Sequence, residues 1–221
     1  FNIGIGNKSL HNNTTGQNNI GLGYYTLVSN TTGYSNTATG HKSLNANQTG
    51  FGNAAYGFSS LTKNTIGQIN TAIGNEAMFQ NTTGNANTAI GSGALYGNVA
   101  GANNIAVGTN SMRNATSGAF NVVTGVSALY NLTTGSNNIA SGTSSLWSNT
   151  TGSNNIAIGW RSLYLNTEKS NIIAIGDSAL YNNGFGAQQS YQGTNNVAIG
   201  HQAMFSNNWG NSNTAIGFQS L

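Results

Sequence analysis

Few side chains in this 221-residue sequence can act as acid, base, nucleophile or metal ligand, and they stand far apart. The carboxylates are Glu76, Glu168 and Asp177 and no others. Acid–base work on a glycosidic bond takes two carboxyl groups about 5–10 Å apart. Glu168 and Asp177 are close enough in sequence to meet, whereas Glu76 is remote from both. His11, His41 and His201 are widely separated and there is no cysteine, so they make no convincing metal site. Serine is abundant, yet no His and Asp fall together where they would activate one. The glycines recur at a fixed interval and do not gather into a phosphate loop. We therefore expect neither an enzyme nor a cofactor.

Two groups of residues point to binding instead. Phe79, Tyr96, Tyr130, Trp147, Tyr164, Tyr181 and Phe205 fall into one register, with Arg113 interrupting and His11, Val28, Asn45 and Thr62 as earlier, mostly polar members. An exposed row of rings would hold a glycan or a protein surface. The same row would equally stack on itself along an axis or fill a seam between chains. The second group is Glu168, Lys169, Asp177, Gln188, Gln189 and Tyr191, around a stretch where the chain's regularity fails. Three of the nine formal charges fall within ten residues there. Insertions in a repeat array emerge as loops on one face, often a binding face, or are merely tolerated.

The elements that must position these residues are copies of one unit. A glycine closes the phrase N-x-A-I-G at Gly6, Gly23, Gly40, Gly57, Gly74, Gly91, Gly108, Gly125, Gly142, Gly159 and Gly176, always seventeen residues apart. An interval of twenty-four then leads to Gly200 and one of seventeen to Gly217, which makes thirteen copies. With this glycine as position 0, position 4 is Leu or Met in every copy, from Leu10 to Leu221, and position 3 is Ser, Thr or Ala. Position 10 is glycine except at Lys169, and position 13 is Asn except at Ile172. The seven extra residues enter between Asn183 and Gly193, so residues 184–192 form an insertion loop.

Seventeen residues cannot bury a core alone, so each unit must stack on its neighbours. Two glycines, several Asn and Thr and no 3.6-residue pattern exclude helix. The phrase before the repeat glycine, as in Ile156-Ala157-Ile158, reads as a short strand with both Ile on one face and Ala on the other. A second strand is expected through Ser-Leu, as in Ser145-Leu146, and both glycines of each unit are expected to supply positive-φ turns. The fold class is thus all-β: a parallel β-solenoid of thirteen coils, roughly 60 Å long at about 4.8 Å per coil. Recurrent Asn would form amide ladders along the axis, and the absence of proline keeps every strand N–H available. A coil this narrow takes the Ala column inside but not the Ile and Leu columns together. Apolar stripes on the outside would then drive side-by-side association of rods.

The phrase Asn155-Ile156-Ala157-Ile158-Gly159-Trp160-Arg161-Ser162 resembles the N-S-V-A-I-G-x-x-S motif of YadA-like trimeric autotransporter adhesin heads. It recurs at Asn70 to Ala77, Asn87 to Ala94, Asn196 to Ala203 and Asn213 to Ser220, so the resemblance spans the chain. It implies a left-handed parallel β-roll, a side-by-side homotrimer, and a bacterial surface protein that binds host matrix protein or other cells. Similar repeats occur in phage tail fibres and long bacterial surface proteins. This unit is longer than the usual head coil, adding a Leu and an N-T-T-G turn, as in Asn149-Thr150-Thr151-Gly152.

Charged residues are only 4% of the chain, against about 25% in an ordinary domain. The net charge of +3 comes from six scattered cations, so a nucleic-acid partner is not expected. No apolar run is long enough to span a membrane. We expect a segment of a longer extracellular fibre, structural or adhesive, that self-associates and meets a matrix protein, a glycan or a neighbouring cell. Rival readings are a phage tail-fibre shaft, carried on a virion, and an ice-binding solenoid using the Thr row of Thr15, Thr32, Thr49, Thr83, Thr134 and Thr151.

Overall fold

A computed structural model describes residues 1–221 as one parallel sheet of thirteen strands, in sequence order, with no helix. Each strand has three residues, from β1 (Ile3–Ile5) through β10 (Ile156–Ile158), β11 (Ile173–Ile175) and β12 (Val197–Ile199) to β13 (Thr214–Ile216). The all-β solenoid expected from the repeat is therefore the fold. Pairing is in register, with Ile156 opposite Ile173 and Ala157 opposite Ala174. The insertion does not disturb it, because Ile173 still faces Val197 and Ala174 faces Ala198 across twenty-four residues.

Three-residue strands alone would not hold such a stack. Of 147 backbone hydrogen bonds only 24 lie within the strands, so the ladder is carried mainly by the corners. Around one coil, Thr71 N–H donates to Asn87 O at 2.8 Å, Gly74 N–H to Tyr56 O at 2.8 Å, Glu76 N–H to Phe58 O at 2.8 Å and Met78 N–H to Ala94 O at 2.9 Å. Each coil thus binds both neighbours through nearly its whole circumference, which gives the rod its stiffness.

The Ser-Leu segment is not a second strand. Ser145 and Leu146 are both fully buried, and consecutive residues of a strand point to opposite faces. Here the chain curls instead: Ser144 and Leu146 have φ of 56° and 51°, and the same two positions are left-handed in neighbouring coils. Ladder bonds and complete burial of the Leu or Met compensate for this conformation, which costs an L-residue about 1–2 kcal/mol.

The two glycines also differ from expectation. The repeat glycine does turn the chain, as at Gly74 with φ of 136°. The second glycine is not in the left-handed region in regular coils. It is required because a Cβ on Gly84 would meet the carbonyl oxygen of Gly101 at 2.5 Å. Close stacking of coils excludes a side chain there.

The interior holds the Leu/Met and Ala columns, as in Leu61, Ala72, Met78, Ala89 and Leu95, all fully buried. The residues flanking each Ala face outward: Ile73 is 41% exposed and Ile158 40%. Two columns of buried Asn run beside the apolar core. In one, Asn70 Nδ2 donates to Asn53 Oδ1 at 3.1 Å and to Gly84 O at 2.8 Å, and Asn53 Oδ1 also accepts the Asn70 backbone N–H at 3.0 Å. In the other, Asn64 Nδ2 donates to Asn47 Oδ1 at 2.8 Å and Gly67 O at 3.0 Å. Ala115 and Leu132 interrupt this second ladder, and Asn98 Oδ1, which would accept from the residue at 115, is buried with no partner. No helix is long and apolar enough to cross a membrane.

Candidate functional site

All seven rings of the aromatic column are half-buried on one corner of the rod. Their spacing follows from the coil: residues at one position of the unit lie one sheet spacing apart, close to the separation of stacked rings. Phe79 stacks on Tyr96 at 5.3 Å, and the Arg113 guanidinium covers Tyr96 at 4.5 Å. Beyond Arg113, Tyr130, Trp147, Tyr164, Tyr181 and Phe205 form one continuous stack with centroids 5.9, 5.4, 5.1 and 5.1 Å apart. Interior rings of this stack use their faces on each other and offer edges to the outside.

A second aromatic column, at position 1, did not emerge from the sequence reading. Tyr24, His41 and Phe58 stack there at 5.4 and 5.0 Å, and His201 stacks on Phe218 at 5.4 Å. Trp160 belongs to this column and is 47% exposed. Its neighbour Arg161 lies 4.5 Å from the Trp160 ring and 5.4 Å from Tyr164, bridging the two columns. Regular spacing at position 1 was a usable signal, obscured by polar members such as Asn7, Asn75 and Thr143.

Between the columns lies a groove of about 300 Å³, lined by Trp160, Arg161, Ser178, Tyr181, Gln202 and Phe205. Its cause is local. Position 2 carries Arg161 and Gln202 in the flanking coils but only Ser178 between them, so one side chain in the row is missing. The corresponding gap at Gly93 is closed by Arg113, whose guanidinium occupies the space a Cβ would need and donates to Asn110 Oδ1 at 2.9 Å. Nothing closes the gap at Ser178. Gln219 Nε2 donates to Gln202 Oε1 at 2.8 Å, which leaves the Gln202 amide hydrogens free.

The residues around the break do not gather into one site. Lys169 is only 9% exposed; it lies over Gly184, and its ammonium donates to Gln189 O at 3.1 Å inside the insertion. The Gln192 side chain holds the loop by accepting from the N–H groups of Gln188 and Gln189 at 2.8 and 2.9 Å. Glu168, Gln188, Gln189 and Tyr191 are exposed. Asp177 belongs to the position 1 corner, where its Oδ1 accepts the Trp160 N–H at 2.8 Å, so its carboxylate is engaged in a backbone contact.

The irregular residues here depend on one another. Ile172 replaces a ladder Asn, and Asn196 then turns its Nδ2 to Asn183 Oδ1 in the other ladder at 3.1 Å. Asn207 donates to the same oxygen at 3.0 Å, so the two ladders merge where the repeat breaks.

No group of three or more His, Cys, Asp or Glu residues is placed to hold a metal ion. The Lys8 ammonium, 5.1 Å from the Tyr25 ring centre, and after it the neighbouring Tyr24 hold the Tyr25 hydroxyl below the usual tyrosine range. Comparison with known proteins leaves the matter to the geometry: no protein-family model, no curated protein and no solved structure matches this chain.

Proposed function

We propose that the chain is a structural and adhesive segment of an extracellular fibre, a rigid rod that associates side by side, as a homotrimer, on a bacterial surface. The observation that carries this reading is the apolar stripe beside the buried Ala column. On one side of the Ala column Ile105, Val122 and Ile139, in three successive coils, are 41–43% exposed, and on the other side Ile73, Ile90 and Ile158 are 38–41% exposed. Apolar rows of this kind, though interrupted by Thr71, Thr88, Thr124 and Ser141, are costly in water and favour burial against a second copy of the rod. The resemblance of the Asn155 to Ser162 phrase to adhesin heads supports the same reading. Adhesion would then come from many weak surface contacts repeated along the fibre and summed by multivalency.

Light scattering and native mass spectrometry of the purified segment test the assembly. The expected mass is three chains, and Ile105→Lys with Ile139→Lys should reduce it to one. A stable, folded monomer of the unsubstituted segment at micromolar concentration would remove the assembly reading. Binding screens against matrix proteins and glycans separate an adhesin from an inert shaft of the tail-fibre kind. The ice-binding reading is disfavoured because the Thr row sits in a turn and is interrupted by Ile66, Ala100, Ser117 and Glu168. The adjacent Thr hydroxyls are also consumed in the ladder, as when Thr82 Oγ1 donates to Val99 O at 3.1 Å.

A further inference from the structure

We infer that the groove at Ser178 is a binding site for a carboxylate-bearing sugar residue, such as the terminal acidic sugar of a host glycan. This deepens the adhesive reading and rests on it for its biological setting, but its chemistry stands on the groove alone. A volume of about 300 Å³ lies at the small end of ligand sites and suits a single terminal residue rather than a chain or a protein segment.

The polar groups decide the class. Arg161 has one face of its guanidinium against Trp160 and forms no hydrogen bond or ion pair with the protein, so its N–H edge is free. The Gln202 amide hydrogens are likewise free, since only its oxygen is engaged. Ser178 adds a hydroxyl at the groove floor. The lining thus offers many donors and no carboxylate, and Asp177 nearby turns Oδ1 to the Trp160 N–H. A donor-rich recess holding a guanidinium fork selects a ligand rich in acceptors, and a carboxylate best satisfies the fork in bidentate geometry. The apolar lining selects a sugar over a simple anion. Trp160 is half exposed, and Tyr181, its faces stacked on Tyr164 and Phe205, presents a ring edge from the opposite wall, so the recess is apolar where the C–H groups of a sugar would lie.

The test uses the assembled segment and saturation-transfer NMR with the methyl glycosides of N-acetylneuraminic acid and glucuronic acid. Their methyl esters and methyl glucoside serve as neutral probes. We expect transfer to the acidic glycosides with millimolar dissociation constants, quenching of tryptophan fluorescence, and binding weakened about ten-fold or more in the neutral esters. Arg161→Gln should weaken acid binding to the level of the esters. Ser178→Gln should abolish transfer by filling the groove, and it should fold, because Gln202 and Gln219 occupy the same position with φ of 54° and 50°. Equal binding of acid and ester would overturn the class of ligand. Unchanged transfer in a folded Ser178→Gln variant, or none in the assembled unsubstituted segment, would overturn the site. Binding by a segment that scatters as a monomer would sustain the site and sink the assembly instead.

Discussion

One substitution made at two levels of the same ladder measures what the buried asparagines contribute. Asn64 and Asn98 occupy the same position of the unit and both are fully buried. Asn64 sits mid-ladder, donating to Asn47 Oδ1 and Gly67 O and accepting from Asn81 Nδ2 at 2.7 Å. Asn98 ends the ladder: it donates to Asn81 Oδ1 at 2.7 Å and Gly101 O at 3.1 Å, but its own Oδ1 has no donor. Leucine is the natural replacement, since Leu132 fills this position two coils on. Asn64→Leu breaks the bond from Asn81 and orphans Asn47 Oδ1. Asn98→Leu orphans Asn81 Oδ1 but removes the existing orphan at 98, so the number of unpaired acceptors is unchanged. The difference is one hydrogen bond, about 1 kcal/mol, plus one buried unpaired acceptor, about 1–3 kcal/mol. Asn64→Leu should therefore be about 2–4 kcal/mol more destabilising than Asn98→Leu. Urea denaturation with equal slopes, together with amide exchange in the adjoining coils, reads the difference. A difference below about 0.5 kcal/mol would refute the ladder as a source of stability.

Three further outcomes follow from the same packing. Gly84→Ala places a methyl 2.5 Å from Gly101 O and 2.6 Å from Asn98 Nδ2, and should cost about 3 kcal/mol, seen as a lower melting temperature. Deleting Phe185 to Tyr191 restores the seventeen-residue interval but leaves Lys169 where a regular coil admits only glycine. The deletion should be tolerated with Lys169→Gly and not without it, with a coupling of about 2 kcal/mol in a double-mutant cycle. In a spectrophotometric titration Tyr25 should ionise below the ordinary value of 10.0, while Tyr24, whose ring lies 4.3 Å from it, ionises above. Because the Tyr25 pKa is lowered in the fold, its contribution is present above the unfolded pKa and fades as pH falls through the folded one. The raised pKa of Lys8 works the other way, its contribution being lost as pH rises through the folded value. Lys8→Met should raise the Tyr25 pKa toward the ordinary range.

The coil, its period and its register were legible because stacking repeats one environment thirteen times. Whatever suits a position recurs there, so the Ala column announced an inward face and the Asn column a ladder. The corner was misread for a physical reason. Ser145 and Leu146 have strand-compatible types, and nothing in their chemistry signals that residues 144 and 146 adopt left-handed backbone. The second glycine was recognised but given the wrong cause, since a turn and a close approach of backbones select the same residue. The aromatic row was legible as a column able to stack on itself; that Arg113 divides it into a pair and a stack of five was decided by the structure.

The seventeen-residue unit by itself determined the architecture and argued against catalysis, because chemistry needs unlike groups brought together and stacking places like over like. Tertiary structure alone decided where unlike groups meet. The groove joins positions 1, 2 and 5 of three coils, where the small Ser178 stands between Arg161 and Gln202 and beside the rings of Trp160, Tyr181 and Phe205. The break likewise became intelligible only in space, where Lys169 crosses Gly184 to reach the insertion and Asn183 joins the two ladders. A repeat specifies what is common to every level; the exceptions acquire meaning from the side chains stacked above and below them.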